Sequence, residues 1–268
     1  MAAQYSTLLI GGSGTIGSGM RTYLPRLDAR YRIVSLDLPG ARDKANGDDA
    51  QRAFIELDLC EDPEALGALL ADYDLVVYLA RKNPLQEMNA MTDLVFKAVL
   101  KQEKPPMMVA SSSVHAVDGL YSFNDEDSVY WPMADRNFDA VNPWPERISA
   151  KTPAHAPNDY AREKEYAEQW CQKMADQGHS AVAARWGGIN EHNAVVEVTE
   201  RGYFSVWCHQ EDSARFVHAC YEGYLNGSLL SGAHYFVISD NDYNIFDIET
   251  PRAEIGYQPV HNSEIFYK

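Results

Sequence analysis

Residues 7–17 read Thr7-Leu8-Leu9-Ile10-Gly11-Gly12-Ser13-Gly14-Thr15-Ile16-Gly17. An apolar, strand-sized run breaks into glycines and then resumes with residues that suit the first turn of a helix. Glycines at 11, 14 and 17 give the spacing G-x-x-G-x-x-G. Such a turn needs one position free of a Cβ, a second where a pyrophosphate can approach peptide N–H groups, and a third where helix and strand pack closely. The stretch therefore predicts a dinucleotide-binding strand–turn–helix, with Gly11, Gly14, Thr15, Ile16 and Gly17 at the cofactor.

The pattern continues outward from there. Strands are expected at Thr7–Ile10, Arg32–Leu36, Phe54–Leu57, Leu75–Tyr78, Met107–Ala110 and Ala181–Arg185, and a later one at His234–Ile238. Helices are expected at Thr15–Leu27, Pro63–Ala71, Asn89–Lys101 and Asp159–Gln177. The last is capped by Asn158 or Asp159 and stopped by Gly178. A further helix is expected around Glu211–Glu222. Strands that are apolar throughout and alternate with helices predict an α/β fold, a doubly wound parallel sheet covered on both faces. We read residues 1–185 as the nucleotide-binding domain and 186–268 as a small C-terminal substrate lobe interleaved with the last strands and helices. The aromatic, proline-rich and acidic stretch at about 120–157 exceeds an ordinary connection. It reads as an ordered lid or a flexible excursion, with its aromatics favouring order.

Composition removes several classes. The 268 residues carry a formal net charge of −16, which argues against nucleic acid and anionic membrane surfaces as partners. No apolar run is long enough to span a bilayer, and the N-terminus enters a strand without a leader-like segment, so a cytoplasmic location is expected. Cys60, Cys171, Cys208 and Cys220 are scattered, with no C-x-x-C pair, and are expected to be reduced thiols; no metal is expected.

Asp37 ends the second strand twenty positions after Gly17 (37 − 17 = 20), where an acid accepts hydrogen bonds from adenosine ribose hydroxyls. An acid there disfavours a 2′-phosphate, so NAD is expected over NADP, although Arg42 and Lys44 follow in the next loop. Asp58 and Leu59 end the third strand beside the adenine. Leu79 and Ala80 end the fourth beside the cofactor backbone. Arg81 and Lys82 come next, placed to meet a substrate anion or a cofactor phosphate.

Tyr160 and Lys164 stand at i and i+4 in Tyr160-Ala161-Arg162-Glu163-Lys164, on one face of the long helix. A lysine cation one turn away, with the positive nicotinamide ring nearby, favours the phenolate and lowers a phenol pKa that is normally near 10. The fifth strand runs into Ser111-Ser112-Ser113-Val114-His115, at the edge of the sheet where ligands of such folds bind. Glycine turn, strand-end serine and tyrosine–lysine pair follow one another along the chain, and their joint occurrence points to a catalytic site.

On these motifs the chain resembles the extended short-chain dehydrogenase/reductase superfamily and, within it, the NAD-dependent epimerase/dehydratase family. The resemblance implies a Rossmann fold and a catalytic set of Ser113, Tyr160 and Lys164, with Ser112 as the alternative serine. Trp207-Cys208-His209-Gln210-Glu211-Asp212 and Ala184-Arg185-Trp186-Gly187-Gly188 resemble stretches of uronate dehydrogenases and of related haloarchaeal sugar dehydrogenases. Those enzymes oxidise a sugar at C1 to a lactone. The resemblance thus implies a carbohydrate substrate held by Arg81, Lys82, Ser112, His115, Gly188 and Arg201. It also implies a homodimer paired through the helices at Asn89–Lys101 and Asp159–Gln177. Arg201 sits one position out of register, and the insert before Tyr160 is long for this group. A sugar epimerase or dehydratase, and a non-catalytic NAD-sensing protein, are the competing readings.

Overall fold

A computed structural model describes residues 4–41 and 53–267. Arg42 and Lys44 lie outside the described residues. The strands are β1 Tyr5–Ile10, β2 Tyr31–Asp37, β3 Phe54–Glu56, β4 Leu75–Tyr78, β5 Met107–Ser113, β6 Ala181–Trp186 and β7 His234–Val237. The helices are α1 Thr15–Leu27, α2 Pro63–Leu70, α3 Leu85–Leu100, α4 Trp131–Ala134, α5 Asp159–Asp176, α6 Tyr203–Val206, α7 Gln210–Asn226 and α8 Glu249–Ile255. All seven strands pair in parallel, in the order β3-β2-β1-β4-β5-β6-β7. The order reverses beside β1, so a crevice opens at the carboxyl edge between β1 and β4.

Alternation along the strands feeds two cores. Leu9, Val77, Val109 and Val182 join Met20, Leu24, Phe216 and Val217 of α1 and α7 on one face. Leu8, Ile10, Val76 and Met108 join Val95, Phe96, Trp170 and Met174 of α3 and α5 on the other. All four residues of β4 are buried, which is why its sequence shows no polar alternation.

Two elements differ from expectation near the site. The helix expected from Asn89 begins at Leu85, directly after Pro84, whose fixed φ suits a helix start. The fifth strand was expected to stop at Ala110, but it runs through Ser113 because β6 continues beside it, pairing Ser111 with Ala184 and Ser113 with Trp186. The serines are therefore strand residues, and Ser112 points to the opposite face from Ser111 and Ser113.

The 120–157 segment is ordered by the C-terminal part of the chain. Phe138 stacks on Tyr243 with ring centroids 3.5 Å apart, and Arg136 makes a two-fold contact with the Glu264 carboxylate at 2.9 and 2.7 Å. Ile148 bridges Phe246 in parallel. After β6 the chain contributes β7 to the sheet edge and α7 to the layer over α1. Among the described residues, no helix is long and apolar enough to cross a membrane.

Candidate active site

Gly11 has φ +81° and would place a Cβ 2.4 Å from the Ala80 nitrogen. Any side chain there would collide with the backbone that follows β4. Gly17 is equally confined, with a Cβ meeting the Gly12 carbonyl oxygen at 2.2 Å, whereas Gly14 has nothing nearer than 3.8 Å. The glycines thus divide the work. Two let β1, α1 and β4 close on one another, and Gly14 leaves the loop surface open at the start of α1.

That surface lines a cavity of about 330 Å³ with Ile10, Gly11, Leu36, Asp37, Asp58, Leu59, Leu79, Ala80, Arg81 and Lys82. Asp37 accepts hydrogen bonds from the Ser13 and Leu38 N–H groups at 2.9 Å each, which ties the end of β2 to the glycine loop. Asp58 accepts from the Cys60 N–H at 2.9 Å. The cradle fits a dinucleotide: an open glycine loop at a helix start, an acid at the second strand, and apolar walls. Thr15, Ile16 and Gly17 do not line this cavity. Ile16 packs against the core, and the Thr15 carbonyl accepts from Gln210 at 2.7 Å.

A second cavity, of about 490 Å³, is lined by Ser113, His115, Asp118, Tyr160, Gly188 and Arg201, with Ser122, Asn124, Glu200 and Tyr203. The two cavities meet where Arg81, lining the first, lies over the Tyr160 ring at 4.8 Å, Tyr160 lining the second.

Asn158 caps α5 by accepting from the Ala161 N–H at 2.9 Å, which sets the helix start so that Tyr160 lies in its first turn. Ser113 lines the same cavity as Tyr160 and favours its phenolate, while its hydroxyl oxygen accepts from the His115 N–H at 3.2 Å. The His115 ring stands edge-on to Tyr160 at 5.8 Å and its Nδ1 pairs with Asp118 at 2.9 Å. Lys164 Nζ lies 5.1 Å from the Tyr160 ring centroid.

Taken by themselves, before a nicotinamide ring adds its charge, the protein's own groups do not make this phenol acidic. Burial holds the Tyr160 pKa above its ordinary value, Glu163 adds to that, and Ser113 and Arg81 oppose it. Burial also lowers the Lys164 pKa, and its ammonium lies 3.2 Å from a Glu163 oxygen. Sequence reasoning passed over Glu163. Its position three residues after Tyr160, on the same helix face, was the available signal.

The other expected substrate contacts separate. Ser112 is turned away and donates to Glu168 at 2.6 Å within a buried group that includes Arg185. Lys82 pairs with Glu87 at 3.1 Å beside the first cavity. Gly188 is pinned under Tyr203, whose ring a Cβ would meet at 2.4 Å. Arg201 faces the second cavity. Trp131 and Asp118, which sequence reasoning did not select, serve as partners of Arg201 and His115. Elsewhere, His209, Glu211 and His261 bring possible ligand atoms within 4.8 Å of one another. All three are engaged: His209 caps α7, and Glu211 pairs with Arg215 and His261.

The sheet order, the glycine cradle and the helix-borne tyrosine–lysine pair define a dinucleotide-dependent enzyme of the Rossmann class. The model of the NAD dependent epimerase/dehydratase family matches residues 7–187, and the chain belongs to that family; its cofactor is NAD. The chain is similar to an NAD-dependent glucose-6-phosphate dehydrogenase of Haloferax volcanii, 32% identical over 87 residues. That match spans 32% of this chain and only 30% of the relative. Among solved structures it is similar to a tyrosine-to-alanine mutant of uronate dehydrogenase from Agrobacterium tumefaciens complexed with NAD, with a TM-score of 0.72 at 19% identity, covering 99% of this chain and 88% of that one. It is also similar to dTDP-glucose 4,6-dehydratase of Bacillus anthracis in complex with NAD, with a TM-score of 0.68 at 14% identity, covering 97% and 93%. At these identities the two structures speak to the fold.

Proposed function

We propose that the protein is an NAD-dependent sugar dehydrogenase that oxidises a sugar or sugar acid, at C1 to a lactone. The observation that carries this reading is the junction itself. Tyr160 lines, with Ser113 and Arg201, a polar cavity of about 490 Å³, and its ring lies 4.8 Å from the guanidinium of Arg81, which lines the glycine-walled cavity. Residues 1–185 serve the nucleotide, and 186–268 with the 120–157 insert build the sugar side.

Gly11, Gly14 and Asp37 would hold NAD, which supplies the hydride acceptor when bound. Ser113 fixes the substrate hydroxyl by a hydrogen bond. Tyr160 takes the hydroxyl proton as the C1 hydrogen departs as hydride, leaving a carbon–oxygen double bond. Lys164 keeps a positive charge beside the forming phenol–phenolate pair. Arg201 and His115 meet the polar groups of the sugar, and Arg81 spans the seam. The acid at Asp37 favours NAD over NADP. A cytoplasmic homodimer joined through α3 and α5 completes the reading.

The test is a panel of aldoses, uronates and sugar phosphates with NAD and NADP, read as absorbance of the reduced cofactor. A dehydrogenase releases reduced cofactor stoichiometrically, and an epimerase or dehydratase does not. Tyr160→Phe should abolish turnover and leave calorimetric NAD binding nearly intact. Full activity in that variant ends the assignment.

A further inference from the structure

Glu163 has a side chain only 2% exposed. A carboxylate in that position is tolerated only when donors meet its oxygens. One oxygen, Oε1, meets two of them: Arg81 Nε donates at 2.6 Å, and Lys164 Nζ lies at 3.2 Å. Arg81 comes from the loop after β4 and Lys164 from α5, so a single oxygen joins the elements on either side of the seam between the cavities. Held through Nε, the Arg81 guanidinium lies over the Tyr160 ring.

We propose that Glu163 is a positioning residue of this centre, whose carboxylate fixes the Lys164 ammonium and anchors Arg81 across the face of Tyr160. The proposal builds on Tyr160 as the proton acceptor, yet its physical content is testable on the protein alone. Tyr160 is faced by Ser113, His115 and Asp118 from β5 and the turn after it, by Arg81 from the loop after β4, and by Glu163 and Lys164 from its own helix. Within this set Glu163 opposes the phenolate and Arg81 supports it. Removing the carboxylate leaves two cations unbalanced, whereas removing Arg81 leaves the carboxylate with Lys164 alone. The two changes must move the phenol in opposite directions.

The experiment follows the titration of Tyr160 by carbon NMR in protein carrying ring-labelled tyrosine, with the signal assigned by its loss in Tyr160→Phe. Glu163→Gln should lower the midpoint by roughly one pH unit, and Arg81→Met should raise it. The double variant should return towards the unsubstituted protein. Arg81 is 41% exposed and its loss leaves Glu163 paired with Lys164, so Arg81→Met is the variant expected to fold and decides the matter if Glu163→Gln does not. An unmoved midpoint in Arg81→Met, or a shift in the same direction in both variants, overturns the proposal. Turnover by Tyr160→Phe would instead remove the catalytic reading and leave these midpoints standing.

Discussion

The Arg201 guanidinium lies over the Trp131 indole, 3.6 Å from the ring centroid, so a residue of the 120–157 insert holds it at the second cavity. Asp135 Oδ1 comes within 3.1 Å of Nη2 but off the line of a hydrogen bond, so Nε and Nη2 are buried without one. The side chain is nonetheless 29% exposed and lines the cavity, so the accessible part of the guanidinium can meet an anionic ligand group. Arg201→Met should therefore raise KM for a uronate or sugar phosphate by roughly a hundredfold with kcat less affected, since the contact is made equally in ground and transition states. Arg201→Lys should not rescue, because the planar stack on Trp131 is lost. Steady-state kinetics on matched neutral and anionic sugars checks this, and an equal loss for both would remove the anion role.

Buried charge elsewhere serves stability. Arg185 donates to both Glu168 oxygens at 2.7 and 2.8 Å and to the Thr152 carbonyl at 2.9 Å, while Ser112 donates to the same carboxylate. The group clamps β5, β6 and α5 to the end of the insert. Glu168→Ala should cost about 3–5 kcal/mol, because it strands a buried guanidinium. Replacing both residues, as in Glu168→Leu with Arg185→Met, should cost less than the sum of the single changes. Urea denaturation of the three variants gives the comparison, and strict additivity would show that the pair is not coupled.

The parts of this protein legible in its sequence are those governed by short-range periodicity. The glycine turn, Asp37 and the Tyr160–Lys164 pair each sit on one element; Gly11, Gly14 and Asp37 line the first cavity and Tyr160 the second, while Lys164 lies behind the Tyr160 ring. What escaped was decided by distant partners. Ser111 to Ser113 fall just past the strand expected at Met107–Ala110, but the length of β6 keeps them in the sheet. Arg81 and Glu163 are 82 positions apart, so nothing local announces their contact or its effect on the phenol. Trp131 is likewise brought to Arg201 only by the packing of the insert on residues near the C-terminus. The second-cavity contacts were the least legible because they come from loops, whose positions are set by what they pack against.

His209 links pH to stability. As the residue before α7 it accepts the Glu211 N–H on Nδ1 at 2.9 Å, which requires a neutral ring with its proton on Nε2. Its other face stacks on His261 at 3.6 Å. Burial, with repulsion from His261, lowers its pKa to about 4 from 6.5. The folded state thus binds the proton less readily than the unfolded chain. The stabilisation is complete above pH 6.5 and is lost as the pH falls to about 4. After allowance for solvent screening at a half-buried site, the effect should be about 1 kcal/mol. His209→Asn keeps a side-chain acceptor and removes the titration. The variant should match the unsubstituted protein at pH 8 and exceed it by about 1 kcal/mol near pH 5 in urea denaturation. Parallel pH profiles for the two proteins would mean that this ring does not govern the acid sensitivity of the fold.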